Sequence, residues 1–350
     1  MNLQILIYLS GALFLGWSLG ANNAANFFGT AVATRMLKFR TAAVICSVFV
    51  LLGASVSGVG ASQTLGKLGQ ISAIAGAFTV SLSAALVSFF MTRAGIPIST
   101  GQAVVGGIIG WNFFSGNSTD YRILGKILGT WVFSPILAAA ISFLLYHLVK
   151  LILNSVKIHL IRLDAVTRHL LIIVGAFGSY SLGANNIGNV MGIFMKLSPF
   201  KDLNIADVFI FSSVQQLFLM GGIAIAVGVI TYSQRVMMTV GSGIFKLSPV
   251  TALTVVLSTS LTLFLFASQE LRGFLLSVHL PAFPLVPVSS SQAVVGSVIG
   301  ISFARGAWNS VNYRILGKIS LGWIITPAAS ALTGYISLFF MQNVFRLKVF

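Results

Sequence analysis

The sequence predicts an all-α polytopic membrane protein made of two repeats, with about ten to twelve membrane segments. Hydrophobic residues make up 57% of the 350 residues and charged residues only 7%, whereas soluble domains carry roughly 25% charged residues. The apolar runs are continuous and long, which indicates spanning helices and not the strands of a barrel. Three polar phrases each occur twice in the same order, which divides the chain into two halves.

The net charge of +16 follows the pattern of a membrane protein and does not indicate nucleic-acid binding. Basic residues fall in short clusters between apolar runs, at Arg35, Lys38 and Arg40 and again across 150–168. Short basic loops of this kind are typical of the cytoplasmic side of a membrane. The first cluster therefore predicts an N-terminus on the outer side.

The reactive residues predict neither a cofactor nor a metal site. Cys46 is the only cysteine, and the four histidines do not have the spacing of metal ligands. The duplicated asparagine and serine motifs contain no Asp, Glu, His or Cys, so we do not expect an enzyme. The apolar N-terminal segment lacks a basic region and a small-residue cleavage site, which predicts a retained helix.

Hydropathy gives the order of the segments along the chain. The first half contains apolar segments at 3–19, 41–61 and 71–92, a broken segment at 97–114 and a long segment at 122–149. The second half contains segments at 169–183, 205–232, 236–245, 249–268 and 271–279, a broken segment at 287–304 and a last segment at 313–341. We therefore assign 1–149 to the first repeat, 150–168 to a basic connecting segment and 169–350 to the second repeat.

The spacing between the repeated phrases differs between the halves. Asn186 follows Asn23 by 163 positions, whereas Gln292 follows Gln102 by 190 positions. The second half therefore carries about 27 additional residues between its first two motifs, the difference between 190 and 163.

The first duplicated motif places three asparagines beside a glycine in an apolar segment. A buried amide without a partner costs a few kcal/mol, so the motif predicts a helix that unwinds near mid-membrane and binds a solute or an ion. The alternative is contact between helices, in which small residues permit close packing and asparagine hydrogen-bonds across the interface. Occurrence in both halves favours the binding site. The candidate residues are Asn22, Asn23, Asn26, Asn185, Asn186 and Asn189.

The second duplicated motif, Pro-x-Ser-(Ser/Thr)-x-Gln-Ala-Val-Val-Gly, has the pattern of a helix start. The proline ends the preceding direction of the chain, and a following hydroxyl serves as N-cap. A half-helix that begins inside the membrane points its free N–H groups and positive dipole end at that place. Two such ends predict a cradle for a small anion, and a proline-kinked helix capped by hydroxyls is the alternative. The candidate residues are Ser99, Thr100, Gln102, Ser289, Ser290, Ser291 and Gln292.

The third duplicated phrase, Tyr-Arg-Ile-Leu-Gly-Lys-Ile, begins a helix in each half. It carries Arg122 and Lys126 in the first half and Arg314 and Lys318 in the second. These cations predict anchors at the membrane interface. The alternative is that they attract an anion toward an opening of the protein.

At these motifs the chain resembles the inorganic phosphate transporter family, which includes sodium–phosphate symporters and sulfate permeases. That family has a duplicated Gly-Ala-Asn-Asp-x-x-Asn signature and proline–serine stretches like those at 97–106 and 287–296. The resemblance covers essentially the whole chain. It implies two inverted-topology repeats, half-helix hairpins that enter the membrane partway, a central oxyanion site built from both halves, and a homodimer.

The chain departs from the family signature at Asn23 and Asn186, where that signature carries aspartate. In sodium-coupled phosphate members those aspartates are implicated in binding cation and substrate, so their absence argues against sodium coupling of that kind. Phosphate near neutral pH carries a proton that a carboxylate accepts, whereas sulfate needs donors only. Amides, hydroxyls and helix N-termini therefore favour sulfate over phosphate.

These observations predict a secondary active transporter of a small tetrahedral oxyanion in the cell membrane. We expect sulfate and proton-coupled symport, and the alternative is phosphate with sodium or proton coupling. Importing a dianion against an inside-negative potential costs about 2.3 kcal/mol per charge per 100 mV, so uptake requires a coupled ion. Glu270 is the one candidate proton carrier, but an interfacial residue paired with Arg272 is the favoured interpretation. An anion channel is less favoured, because no continuous ring of pore residues is evident.

Overall fold

The computed structural model describes residues 3–69, 71–94, 98–156, 159–205, 209–243, 247–306 and 313–350. The described part of the first half contains α1 (Leu3–Asn23), α2 (Ala25–Ala33), α3 (Phe39–Ser57), α4 (Val59–Leu68), α5 (Ile74–Arg93), α6 (Thr100–Ser115) and α7 (Tyr121–Ser155). The described part of the second half contains α8 (Leu160–Met191), a 3-10 helix (Gly192–Leu197), β1 (Leu203–Ile205), β2 (Phe209–Phe211), α9 (Ser213–Gly243), α10 (Pro249–Ala267), α11 (Gln269–Ser277), α12 (Ser290–Ala304) and α13 (Tyr313–Asn343). The predicted all-α class is confirmed, with one short antiparallel hairpin added.

Eight helices of the described chain are long and apolar enough to cross a membrane: α1, α3, α5, α7, α8, α9, α10 and α13. The protein is therefore a polytopic membrane protein. Helices α6 and α12 are shorter, at 16 and 15 residues. The described residues thus provide eight candidate spans, and the prediction of ten to twelve segments requires these two shorter helices to enter the membrane as well.

The helix boundaries differ from the hydropathy segments in two places. Helix α7 continues to Ser155 and α8 begins at Leu160, so most of the basic connecting segment 150–168 is helical. The predicted segments 205–232 and 236–245 are not separate helices, because α9 runs unbroken from Ser213 to Gly243, and the first segment begins in the hairpin β1–β2. Apolar runs report burial or contact with lipid, and they do not mark where a helix continues beyond the bilayer or gives way to a strand.

Helices of the two halves pack against one another in exchanged pairs. Helix α6 of the first half packs along α13 of the second, and α12 of the second half packs along α7 of the first. In the same way, α1 packs along α9 and α8 packs along α3. Each half therefore completes the packing of the other. The inverted orientation of the repeats and their division at 150–168 stay predictions.

Glycine brings the half-helices close to the long helices. A Cβ atom on Gly296 of α12 would lie 2.1 Å from the carbonyl oxygen of Pro135 in α7. The repeat-related Gly106 of α6 has the same relation to Pro327 of α13, also at 2.1 Å. Contacts this short leave no room for a side chain, so backbone packs directly on backbone at both places.

The additional residues of the second half form two insertions. The hairpin β1–β2 lies between the 3-10 helix and α9, whereas five residues join α2 to α3 in the first half. Helix α11 lies between α10 and α12, whereas six residues join α5 to α6. None of the residues of α11 is buried. Both insertions are thus placed outside the elements that carry the repeated motifs.

The long helices α7 and α13 present apolar side chains outward. Leu128, Val132 and Leu144 of α7 and Ile324 and Leu332 of α13 are all exposed. Apart from the one hydrogen bond that the internal proline of each helix removes, the backbone groups of these helices pair within the helix, so such faces suit hydrocarbon.

Candidate functional site

Helices α6 and α12 begin with the same cap inside the protein. The Ser99 hydroxyl accepts a hydrogen bond from the backbone N–H of Gln102 over 3.4 Å. In the second half, the Ser289 hydroxyl accepts from the N–H of Gln292 over 3.2 Å. Both serines are buried, as is Thr100, the first residue of α6. The predicted N-cap is thus Ser99 in one half and Ser289 in the other, whereas Pro97 lies outside the described residues.

These two helix starts lie away from bulk water. The first N–H groups of a helix have no partners within the helix, and they carry the positive end of its dipole. Ser290 and Gln292 of α12 are buried, and Ser291 is partly buried. The side chain of Ser291 donates to the carbonyl oxygen of Ile98 over 3.1 Å, directly before α6. The N-termini of the two half-helices are therefore neighbours.

The asparagine motif of the first half lies beside the N-terminus of α12. The side-chain amide of Asn26 in α2 donates to the hydroxyl of Ser290 over 3.2 Å. At the end of α1, the amide of Asn22 donates to the side-chain oxygen of Asn23 over 3.1 Å. Asn23 is buried, whereas Asn22 and Asn26 are partly buried. The motif of one half therefore contacts the half-helix of the other.

The asparagine motif of the second half is buried completely. Asn185 forms two hydrogen bonds with the backbone of Val288: its amide donates to the carbonyl over 2.7 Å, and its oxygen accepts from the N–H over 3.1 Å. The amide of Asn189 donates to the oxygen of Asn186 over 3.0 Å. A Cβ atom on Gly101 would lie 3.2 Å from the Asn189 amide. This motif thus contacts the starts of both α6 and α12.

Four amide atoms in this cluster are buried without a hydrogen-bond partner. Three are acceptors, namely the side-chain oxygens of Gln102, Gln292 and Asn189, and one is a donor, the side-chain nitrogen of Asn186. Gln102 and Gln292 are the same position of the two repeats. Buried polar atoms are rarely left unpaired, because each one costs about 1–3 kcal/mol. The cluster therefore has the composition of a site that completes its hydrogen bonds with a polar ligand.

The cluster is electrically neutral among the described residues. The buried polar side chains of the described chain are all Ser, Thr, Asn or Gln. Asp120 caps α7, Asp202 accepts from the N–H of Ser213, and Asp164 pairs with Arg168. No metal-binding group of His, Cys, Asp or Glu occurs among the described residues either.

Glu270 does not occupy the site. It lies exposed on α11 and accepts a hydrogen bond from the Ser268 hydroxyl over 3.1 Å. The described residues form one ion pair, Arg168 with Asp164, so the expected pairing of Glu270 with Arg272 is wrong. Helix α11 contains no buried residue, so this carboxylate lies at the protein surface.

The asparagine motif does not unwind its helix in the way that the sequence predicts. In the first half, the break between α1 and α2 consists of Ala24 alone, and its backbone stays right-handed with φ −57° and ψ −29°. In the second half, α8 continues through the motif to Met191. Side-chain amides, and not a run of open backbone carbonyls, therefore supply the polar groups.

Three positions contribute to the cluster through their backbone and were not predicted from the sequence. Val288 holds Asn185 with its N–H and carbonyl groups, and Ile98 accepts from Ser291. Gly101 matters because it lacks a side chain beside Asn189. Of these positions, only Gly101 stands out in the sequence, because the two copies of the motif differ there: the first has glycine and the second has Ser291.

Arg122 and Lys126 lie away from the cluster, at the exposed start of α7. The carboxylate of Asp120 caps this start and accepts from the backbone N–H groups of Arg122 and Ile123 at 3.0 Å. The repeat-related side chain of Arg314 lies outside the described residues.

Comparison with known proteins gives one consistent result. The phosphate transporter family matches residues 19–334. A protein of Methanocaldococcus jannaschii, named as a candidate phosphate permease, is 28% identical over 336 residues, which cover 96% of each chain. A candidate phosphate permease of Haemophilus influenzae is 22% identical and covers 95% of each chain.

Among solved structures, a protein described as the sodium-dependent phosphate transporter superimposes with a TM-score of 0.75. It is 23% identical, and the match covers 97% of this chain and 99% of that one. At this identity the likeness concerns the fold. It agrees with the polytopic helical architecture described above.

Proposed function

This chain belongs to the phosphate transporter family, and we propose that it carries inorganic phosphate across the membrane as a coupled secondary transporter. Family membership supports transport of an inorganic anion. The proposed binding site is the neutral cluster at the starts of α6 and α12. The observation that carries the proposal is the set of four unpaired amide atoms beside two buried helix N-termini.

The helix N-termini supply the donors for an oxyanion. Thr100 and Gly101 at the start of α6, and Ser290 and Ser291 at the start of α12, contribute backbone N–H groups that have no partner within the helix. Such ends bind phosphate-like anions without a positively charged side chain. The unpaired nitrogen of Asn186 adds a side-chain donor. A tetrahedral anion between the two ends contacts donors from both halves at once.

The unpaired acceptors favour phosphate over sulfate. A site with donors only suits sulfate, and that was the reason for the sequence-based preference. The described cluster also contains unpaired oxygens on Gln102, Gln292 and Asn189. Hydrogen phosphate brings a hydroxyl that one of them accepts, whereas sulfate brings none. The relatives are named as candidate phosphate permeases, and nothing in the comparisons supports the sulfate branch.

The remaining acceptors fit a coupling cation. A dianion moved inward against 100 mV costs about 4.6 kcal/mol, twice the figure for one charge, so uptake needs a driving ion. No described carboxylate lies at the cluster to carry a proton. Amide and carbonyl oxygens are the groups by which transporters hold sodium near discontinuous helices. We therefore propose sodium as the coupled cation, and a proton carried on the phosphate itself is the alternative.

Uptake by purified protein in proteoliposomes tests the proposal. Radiolabelled phosphate and sulfate are supplied in parallel, with sodium and proton gradients imposed separately. We expect saturable phosphate uptake that a sodium gradient drives and that excess sulfate inhibits weakly. Sulfate uptake that phosphate does not inhibit would instead indicate a sulfate permease. A flux that does not saturate and does not follow either gradient would indicate a channel.

A substitution at an unpaired oxygen separates function from folding. Gln292→Leu removes a buried acceptor that has no partner in the protein, so stability should stay equal or rise by about 1 kcal/mol. Phosphate uptake should nevertheless fall by about tenfold, because the ligand loses its contact. Asn343→Ala is the control, since its exposed amide only donates to the carbonyl of Phe339. Loss of both stability and uptake in Gln292→Leu would contradict the assignment of this oxygen to a ligand.

A further inference from the structure

Two cavities lie on either side of the N-terminus of α10. The inner cavity, of about 40 Å³, is lined by Asn26 and Thr30 of α2 and by apolar side chains of α10 and α12. The outer cavity, of about 240 Å³, is lined by Lys150 at the end of α7, Arg305 after α12, and Ser248 before α10. The inner cavity therefore touches the proposed phosphate site, and the outer one lies at the protein surface.

A small apolar cluster separates these cavities. Its members are Val255, Val298 and Ile301, with Tyr146, Leu247 and Val294 packed against them. The inner cavity is lined by Val255, Val294 and Val298, and the outer cavity by Tyr146. A solute that leaves Asn26 in this direction therefore passes the inner cavity, then the apolar cluster, and then the outer cavity.

The outer cavity has the electrostatic character of an oxyanion site. Lys150 and Arg305 both line it, and Asn154 adds an amide. The one ion pair of the described residues lies elsewhere, so no described carboxylate neutralises these two cations. Ser248 caps α10 by accepting from the N–H of Thr251 over 3.3 Å. The positive end of the α10 dipole thus adds to the two charges.

The outer cavity opens at the face where basic residues concentrate. Helices α2 and α12 both lead away from the contact between Asn26 and Ser290. They line the inner cavity together, with Thr30 and Val298, so their far ends lie at one face of the protein. Helix α2 ends at the basic loop 35–40 and α12 ends at the outer cavity. The positive-inside pattern predicts that this face is cytoplasmic.

The corresponding cavity in the first half is smaller than the inner cavity beside α12. Gly69, Ile108 and Ile193 line a cavity of only about 10 Å³ there. A Cβ atom on Gly69 would lie 2.4 Å from a methyl group of Ile108, which corresponds to Val298 in the second repeat. The wider approach to the central cluster is therefore the one that ends at Lys150 and Arg305.

We propose that the outer cavity is a second binding site for a tetrahedral oxyanion, held by Lys150 and Arg305 at the cytoplasmic mouth of the path. The proposal rests on the proposed function, because the path leads to the cluster assigned to phosphate there. Free phosphate and the phosphodiester of an anionic lipid headgroup share the chemistry that this cavity recognises. Free phosphate is the expected ligand, since the cavity adjoins the path from the central site.

A fluorescent reporter on the cavity wall tests binding directly. Asn154→Cys is labelled with an environment-sensitive dye, and the native Cys46 does not compete because it is buried. The labelled protein in detergent is titrated with inorganic phosphate, with a soluble short-chain phosphatidylglycerol, and with chloride as the reference. A saturable response to inorganic phosphate supports the free anion, and a response to phosphatidylglycerol alone assigns the site to a headgroup. No saturable response to either beyond that of chloride would overturn the proposal.

Two matched pairs of substitutions identify the cations. In the labelled background, Lys150→Gln with Arg305→Gln should weaken the response by about tenfold or more. Lys38→Gln with Arg40→Gln removes the same charge from the same face outside the cavity, and it should leave the response within about twofold. If both pairs weaken the dye response equally, general surface charge and not this cavity attracts the anion, and the proposal is overturned.

Transport in proteoliposomes distinguishes this proposal from the proposed function. If free phosphate is the ligand, the double substitution Lys150→Gln with Arg305→Gln should raise the KM for phosphate on the cytoplasmic side. The expected increase is about fivefold at low ionic strength and smaller at high salt. The KM on the opposite side should not change. The dye measures binding without transport, so a protein that binds phosphate at this cavity but transports none refutes the proposed function and not this site.

Discussion

The side-chain amide of Asn26 donates a hydrogen bond to the hydroxyl of Ser290 over 3.2 Å, although 264 positions separate the two residues. Asn26 comes from the asparagine motif of the first half, and Ser290 begins α12 in the second half. The contact joins both halves at the proposed phosphate site. Asn26 also lines the inner cavity, which begins the path proposed toward Lys150 and Arg305.

Removing this contact should reduce transport without unfolding the protein. Asn26→Ala and Ser290→Ala should each lower phosphate uptake at limiting concentration by about fivefold, which corresponds to the loss of one net hydrogen bond. Both side chains also face the proposed ligand. If the two side chains act as one unit, the double variant should lose about as much phosphate uptake as either single variant. A double-mutant cycle of uptake rates measures this coupling. Fully multiplicative losses would contradict the coupling.

Asn185 should be required for the position of α12 and not for ligand contact. Asn185→Ala leaves the N–H and the carbonyl of Val288 buried without partners, which should cost about 2–4 kcal/mol of stability. Asn185→Asp keeps the acceptor but places a carboxylate against the carbonyl oxygen, so it should be equally harmful. Thermal unfolding in detergent measures both. Normal stability with lost uptake would contradict this positioning role.

Backbone packing at Gly296 should tolerate no side chain. Gly296→Ala places a methyl group 2.1 Å from the carbonyl oxygen of Pro135, so α12 has to move away from α7. We expect a loss of about 3 kcal/mol or more in stability, in the range of overpacked cores. Gly129→Ala on the exposed face of α7 is the matched control, because its Cβ meets nothing within 4 Å. The control should stabilise by about 0.5–1 kcal/mol, since alanine suits a helix interior better.

Asn186 of the second half, where the family resemblance implies an aspartate, should tolerate that residue. Asn186→Asp keeps the oxygen that accepts from Asn189 and removes the unpaired nitrogen, so the fold should be preserved. A carboxylate there holds a cation more strongly than an amide does. We therefore expect the sodium concentration for half-maximal uptake to fall by about fivefold. An unchanged sodium dependence would mean that the coupled cation does not bind beside Asn186.

The matching change in the first half provides a comparison. Asn23 accepts a hydrogen bond from Asn22 and is buried, but neither of its side-chain polar atoms is among those that are fully buried without a partner. Asn23→Asp should therefore alter sodium dependence less than Asn186→Asp does. A larger effect at Asn23 would place the cation nearer to the first motif.

The sequence by itself determined the class of the protein and selected the polar residues of the candidate site. Long apolar runs with few charges exclude a water-soluble fold, since hydrocarbon requires continuous helices. The duplicated Asn and Ser motifs selected the residues that the structure brings together, such as Asn26 with Ser290 and Gly101 with Asn189. Polar side chains in apolar segments are costly, so their positions in the sequence already indicated where partners or ligands would be needed.

Tertiary structure alone decided how these groups are shared between the halves. Which motif contacts which half-helix depends on the exchanged packing of α6 on α13 and of α12 on α7, and on the close contacts at Gly106 and Gly296. It also decided which amides stay unpaired, because Asn185 finds the backbone of Val288 whereas Gln292 leaves its oxygen without a partner. Hydrogen bonds between residues more than a hundred positions apart follow from three-dimensional packing, and a local pattern of residues does not contain that information.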